Sequence, residues 1–492
     1  MQRLKLQVEW LQKQLFGKKS ERLDPQQEEM FKESVEMGKP EPPLDSEKES
    51  EREEENTNAK PKRKRKTKDE LGLRNLPVVV KETLIPEKVL ANPQAYRKIG
   101  ERHHDELDFQ PGYLRYQRTI LPEYVLIEDK SESPLRATAP VAPIPNAMIT
   151  ASLAASLIID KHCDHLPHYR QSQRFFREQA VSINHKTINA WVMSSAALLA
   201  PVAACVGAEL KSSKLLQVDE TPMHYLIPGT GKAHQGYLWV MRDPQTGATY
   251  YHWDQRRNLE ALLNLLGYDK RSKELSFNGI IQCDGYTCYE SLSNAYISIQ
   301  LGACMAHIRR KFLEDKSLIL EPWVKYLMRA IKVLYRIERR LRNTNAPPDQ
   351  VRRTRYRYAR PIIAKIEQSL IEQQPLQRPS SSSAKAIAYA LGQWDQLKLY
   401  LDTGELPIDN NGVENAIRPC KLGLKNYMFF GSFEAGANNA TLYTLIENCK
   451  AHGIHLREYL EYVLGAIDHI PAEDLTPAKI AAHWASSADE VA

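Results

Sequence analysis

LLQVDETPMHYL, Leu215 to Leu226, is the stretch on which the fold turns. Its opening residues are apolar apart from one glutamine and lead into an acid, the pattern of a buried strand that ends at Asp219. Two further strand-like runs follow, GYLWVMRD (Gly236 to Asp243) and ATYYHWD (Ala248 to Asp254). They are set apart by the turn residues Pro228-Gly229 and Pro244 to Gly247. Three strands joined by short turns make an antiparallel meander. After a helical segment at Leu259 to Leu266 comes a second buried strand, FNGIIQCDG (Phe277 to Gly285), ending on Asp284. A short helix, the strand-like ISIQLGACMA (Ile297 to Ala306) and the basic helix HIRRKFLED (His307 to Asp315) complete the run.

The order β-β-β-α-β-α-β-α predicts an α/β core of RNase H-like, retroviral integrase-like type. If the strands carrying Asp219 and Asp284 are neighbours in one sheet, their carboxylates converge. A third acid, Glu414, lies in the first turn of a helix opened by DNNGVENAIRP (Asp409 to Pro419), with an Asn cap expected and Pro419 expected to end or kink it. Taken singly, such acids are most often caps or surface charges. Three carboxylates from separate elements, however, are the oxygen donors that two Mg²⁺ or Mn²⁺ ions need, and two such ions clamp the attacking and leaving oxygens of a phosphoryl displacement.

The core is expected to occupy 213–320 and to resume at 406–452 with the third acid. The Arg- and Leu-rich stretch 321–405 reads as a helical insertion. Residues 453–492 read as a helical tail. Upstream, 148–212 is helical, and LPHYRQSQRFFREQAVSINHKTINAWV (Leu166 to Val192) reads as two helices joined around Gln179 to Ser182. Either the second enters a DNA major groove with His185, Lys186 and Asn189, as in a helix-turn-helix, or the pair is an ordinary hairpin with Phe175, Phe176, Ile188 and Trp191 as core. A Pro- and Ala-rich linker is expected at 131–147 and a small strand-rich module at 77–130, from the alternation in VVVKETL and GYLRYQRTILPEYVLIED. Residues 25–76 turn from acidic to the basic run Lys60 to Lys68, with Lys62, Arg63, Lys64, Arg65 and Lys66 as DNA contacts, and are expected to be disordered. Residues 1–24 place Leu4, Val8, Leu11 and Leu15 on one seam, either a short dimerising coiled coil or a lone amphipathic helix.

Composition narrows the class. A chain of 492 residues with net charge +6 is too long for one ordinary domain and only mildly basic, so affinity for nucleic acid must come from local clusters. No run of about 18 apolar residues and no leader-like start occurs, which predicts a cytoplasmic protein with no membrane partner. Seven cysteines with no CxxC pair predict reduced thiols. PGTGKAH (Pro228 to His234) lacks the spacing of a phosphate-binding loop and reads as a hairpin turn.

VDET, CDGY and DNNGVEN in this order, with AHIRRKF after the second acid and the tail LYTLIENCKAHG, resemble the DDE transposases of the bacterial insertion-sequence-66 family. The resemblance runs from about Asp164 to the end. It implies cut-and-join chemistry on double-stranded DNA at the ends of a mobile element, with Asp219, Asp284 and Glu414 as metal ligands and catalytic acids. It also implies a homo-oligomer on DNA and possible small accessory proteins from the same element. Cys304 and His307 match a C-x-x-H element thought to support the site; as a pair they are too few for structural zinc. Arg418, four residues after Glu414, would hold a phosphate or a nearby acid. Arg309, Arg310, Lys311, Lys421 and Lys425 are expected to face DNA. Two family arginines are missing, since the chain reads Glu414-Asn415 and Gly423-Leu424-Lys425-Asn426. The family's paired CxxC zinc module is also missing, no cysteine preceding Cys163, so no structural zinc is expected. The rival functions are a decayed or domesticated DNA-binding protein and a metal-dependent nuclease.

Overall fold

The structure is a computed structural model that describes residues 76–489 apart from 111, 128–132, 145–146 and 228. The seam at 1–24, the charged arm and its Lys62 to Lys66 run lie outside the described residues. The described chain is a mixed α/β protein with a strand-rich N-terminal part and a helical C-terminal region.

The first sheet holds three strands in the order β1-β3-β2: β1 (Val78–Thr83), β2 (Tyr96–Gln110) and β3 (Tyr113–Leu126). The Pro/Ala stretch after it is more than a spacer. Leu135 exchanges backbone hydrogen bonds with Tyr124, and Ile144 is fully buried. Three helices follow: α1 (Ala151–His162), α2 (His168–Gln179) and α3 (His185–Lys211). Asn184 caps α3, its side chain accepting from Lys186 N at 2.9 Å, as expected of a polar residue with orphan amides to satisfy. By length and composition α3 is the one helix among the described residues able to cross a membrane. In this fold Val192, Leu199, Val202 and Val206 on that helix are buried. Of the aromatic residues expected as hairpin core, Phe175 is buried, whereas Phe176 is 63% exposed.

The second sheet has five strands in the order β6-β5-β4-β7-β8: β4 (Leu215–Leu226), β5 (Ala233–Arg242), β6 (Thr249–Asp254), β7 (Gly279–Gln282) and β8 (Ile299–Gly302). β4, β5 and β6 form the antiparallel meander; β7 and β8 add parallel to β4. Helices α4 (Leu259–Leu265), α5 (Thr287–Ala295) and α6 (Met305–Leu313) connect and follow them. Side chains alternate across a strand, so Leu216, Val218 and Ile281 enter a core with the end of α3, α4 and α5, while Met223 and Tyr225 face the other layer.

The insertion comprises α7 (Pro322–Asn343), α8 (Pro348–Thr354), a π-helical turn (Arg355–Ala359), α9 (Arg360–Gln373), α10 (Ser382–Gly392) and α11 (Trp394–Asp402). The chain then returns through α12 (Asn411–Tyr427) and α13 (Phe433–Ala451), and ends with α14 (Leu456–Ala466) and α15 (Pro477–Asp489). One core joins Leu107 and Leu114 of the first sheet, the buried faces of α1 to α3, and Leu442, Tyr459 and Leu460 of the C-terminal helices.

Three local expectations need correction. Asp219 does not end its strand: β4 runs seven residues further, because Thr221, Met223 and Tyr225 stay buried on one face and β5 remains paired to it up to Leu226. Pro419 does not end α12. Val413, Ala416, Ile417 and Cys420 bury one stripe of the helix, and that packing outweighs the hydrogen bond a proline removes. Asn410 stands at the cap position of α12 but its side chain makes no capping bond; Asp409 Oδ1 instead accepts from Asn411 N at 3.1 Å.

Candidate active site

β4 and β7 pair in parallel with Leu215 opposite Ile280, Leu216 opposite Ile281 and Gln217 opposite Gln282. That offset of 65 is also the separation of Asp219 and Asp284 in the chain. The two acids therefore stand level, Asp219 inside β4 and Asp284 two residues past the end of β7, on strands that in a sheet lie about 4.8 Å apart. Each acid follows a glutamine by two residues, in LLQVD and IIQCD, so the glutamines share the face of the acids.

Those glutamines are buried and staple the returning chain over the sheet. Gln217 Nε2 donates to Gln282 Oε1 (2.9 Å) and to the Asp409 carbonyl (3.0 Å), and Gln282 Nε2 donates to the Pro407 carbonyl (2.7 Å). Gly412 makes the close approach possible: a Cβ there would press into the Gln217 side-chain oxygen and come within 2.7 Å of the Arg242 guanidinium. Cys304 Sγ accepts from Asn410 N at 3.4 Å, which fixes the start of α6 against the start of α12. Burial pushes that thiol up to about 12, so its role is packing rather than reactivity.

Glu414 arrives one turn into α12, half-buried. Both of its oxygens accept from Arg310 Nη2, at 3.2 and 3.0 Å, and His307 Nε2 lies 3.5 Å from Oε1. Of the C-x-x-H pair, Cys304 thus anchors the start of α12 through the backbone, and the His307 ring lies beside Glu414. Burial lowers the His307 pKa although the Glu414 carboxylate pulls the other way. Asp284 Oδ1 accepts from Tyr286 N at 3.0 Å, and Asp219 Oδ1 from Glu220 N at 2.9 Å. Asp219 is pushed up to about 8, first by burial, then by the Glu220 carboxylate, with Asp284 and Glu414 adding to the rise.

These donors suit a hard divalent cation. They are oxygens, the donor type that such a cation takes. Among the described residues no three of His, Cys, Asp and Glu stand close enough together to hold a metal ion, and Glu414 is engaged by Arg310. Asp219 and Asp284 are brought level, whereas Glu414 is engaged by Arg310.

A cleft of about 650 Å³ opens beside Glu414, with Arg309 and Arg310 from α6, Lys332, Tyr335 and Arg339 from α7, and Asn411 and Arg418 from α12 on its walls. Arg418 thus shares the Glu414 side of its helix, as the spacing predicts. The other basic residues separate. Lys311 reaches Glu314 (3.1 Å), Lys421 Nζ donates to the Pro222 carbonyl (3.0 Å), and Lys425 is exposed. His185, Lys186 and Asn189 are exposed at the start of α3.

Sequence reasoning missed three contributors. Glu220, on the opposite face of β4 from Asp219, is buried and paired to Arg257 (2.6 Å), and Tyr289 Oη donates to it at 2.8 Å. Arg257 also lies over the Tyr286 ring at 4.1 Å. This network fixes the loop after Asp284 to β4, and the buried DE dipeptide in VDET was its signal. Tyr389 of α10 accepts from Gly285 N at 3.2 Å, so the insertion touches the CDGY turn. The repeated Q-x-D was a signal for the glutamine staple.

Residues 146–438 match the family model described as transposase IS66 family, and residues 3–80 match one described as transposase C of IS166 homeodomain. The chain is 30% identical over 386 residues to uncharacterized protein y4jD of Sinorhizobium fredii (strain NBRC 101917 / NGR234), covering 76% of this chain and 73% of that protein. It is 29% identical over 403 residues to uncharacterized protein y4qI of the same strain, covering 79% and 72%. With more than half of its length matched by one family model, the chain belongs to the IS66 family of transposases.

Proposed function

We propose that this transposase cuts and joins DNA strands at the ends of a bacterial insertion sequence, using Asp219, Asp284 and Glu414 on an RNase H-like core. The observation that carries the reading is the shared offset of 65, which sets Asp219 and Asp284 level on neighbouring parallel strands. The strand order, three antiparallel followed by two parallel, supports the core assignment. Asp219, Asp284 and, once free of Arg310, Glu414 would hold Mg²⁺ or Mn²⁺, which when bound stabilises charge on the transferring phosphoryl group. The glutamine staple and Cys304 position α12; His307 and Arg310 hold Glu414 until DNA and metal arrive. Arg418 and Arg309 face the cleft in which a DNA phosphate would sit. Exposed His185, Lys186 and Asn189 would read the element's ends. In this reading the protein works in the bacterial cytoplasm as a homo-oligomer on DNA, with accessory proteins of the same element as candidate partners, and needs no structural zinc.

The Arg310–Glu414 contact favours a second reading, a DNA-binding copy without catalysis. Incubating the full chain with pre-cut end DNA, target DNA and Mg²⁺ separates the two. Joined product supports the proposal; hydrolysis alone points to a nuclease, and binding alone to the non-catalytic copy.

A further inference from the structure

Net charge is concentrated in one segment of the insertion. Residues 325–360 hold twelve Lys and Arg against two acids, a net +10 where the whole chain carries +6. One of those acids, Glu338, is buried in a pair with Arg355. Six of the cations, Lys325, Arg329, Lys332, Arg336, Arg339 and Arg340, lie on α7 at steps of four, three, four, three and one. At 100° per residue those steps keep all six within about 100° of arc, on one stripe about 22 Å long. All six are exposed, and no ion pair among the described residues engages any of them. The opposite face of α7, with Val324, Leu327, Ile331 and Leu334, is buried in the insertion core, so the stripe cannot turn inward.

Such a stripe repels itself unless a polyanion neutralises it, and five of its six cations repeat about every 4.5–6 Å along the axis, so that several can meet phosphates along one nucleic-acid backbone. Its position gives it a purpose. Lys332 and Arg339 also wall the cleft that holds Glu414, so a backbone lying along α7 leads directly to the third acid. We propose that the α7 stripe is a docking surface for the sugar-phosphate backbone of double-stranded DNA, holding the duplex whose strand enters the Glu414 cleft. Its place in the reaction rests on the strand-cutting reading above; its affinity for DNA does not.

The test is binding of full-length protein to a labelled random-sequence duplex, in chelator and across a range of salt. Arg329→Gln, Arg336→Gln and Arg340→Gln are combined, leaving the cleft residues intact. Each phosphate contact contributes about 0.9 to the slope of log K against log salt, so the triple variant should flatten that slope by about 2.7. The control combines Lys88→Gln, Lys270→Gln and Arg271→Gln, three exposed cations elsewhere, and should leave the slope unchanged. An unchanged slope in the α7 variant overturns the proposal, as does an equal fall in the control. A flattened slope with wild-type protein that neither cuts nor joins end DNA supports the surface and sinks only the catalytic reading.

Discussion

Replacing Arg355 with Met probes how the insertion holds the third acid in place. Arg355 and Glu338 are a buried pair with side chains 4% and 8% exposed, joined by Nε to Oε1 at 2.9 Å and Nη2 to Oε2 at 2.7 Å. The remaining nitrogen donates to the carbonyls of Tyr400, Thr403 and Leu406 at 2.9, 2.9 and 2.8 Å. One guanidinium therefore fixes the end of α11 and the segment that returns the chain to α12. Met fills a similar volume but strands a buried carboxylate and three carbonyls. Removing one partner of a buried pair costs about 3–5 kcal/mol. For a compact unit spanning Lys66–Ala492 that lowers the midpoint of thermal unfolding by roughly 3–6 °C. Circular dichroism melting and urea titration measure it. Arg355→Met with Glu338→Leu should be less damaged than Arg355→Met alone, because the stranded charge is gone while the carbonyls still lack a donor. A loss under about 1 kcal/mol for the single variant, or a double variant worse than the single, would refute this account of the pair.

Two further outcomes follow from the site. The folded pKa of Asp219 is about 8 against an ordinary 3.8, so between those values the folded protein binds more protons than the unfolded chain and stability falls as pH rises. In chelator, Asp219→Asn should remove that fall, gaining on the order of 2 kcal/mol near pH 8 after discounting for partial exposure, and parallel urea-midpoint profiles for the two proteins would contradict it. Gly412→Ala should cost about 1–3 kcal/mol by crowding Gln217 and Arg242, while Gly392→Ala, with open space around it, should be neutral or slightly stabilising; equal urea midpoints for the two would count against the close approach.

The strands of the second sheet were legible because each is a short apolar run bounded by turn residues, and the words VDET, CDGY and DNNG marked the segments on which the candidate site is built. Less legible was what depends on partners distant in the chain. Asp219 looked terminal since apolar residues thin out after Val218, yet β5 pairs the rest of β4. Pro222 is tolerated in that stretch because its carbonyl points away from β5, toward Lys421, and its missing N–H faces the same way. Pro419 looked like a stop, but a propensity argument omits the stripe that α12 buries. The hold of Arg310 on Glu414 spans 104 residues, and no local pattern reports it. Gln217 and Gln282 read as interior polar accidents until the Asp409 and Pro407 carbonyls they satisfy are in view.

The most direct measurement is strand cleavage and joining of end DNA by Asp219→Asn, Asp284→Asn and Glu414→Gln proteins, each checked for folding and for binding to the same DNA. An amide keeps the shape of each side chain while removing its charge. The account predicts that each single variant loses cleavage and joining in Mg²⁺ while still binding DNA, and that any double variant loses little more, since the three acids act as one unit. Near-normal joining by Glu414→Gln would contradict it, showing that the acid held by Arg310 and His307 is not the third ligand.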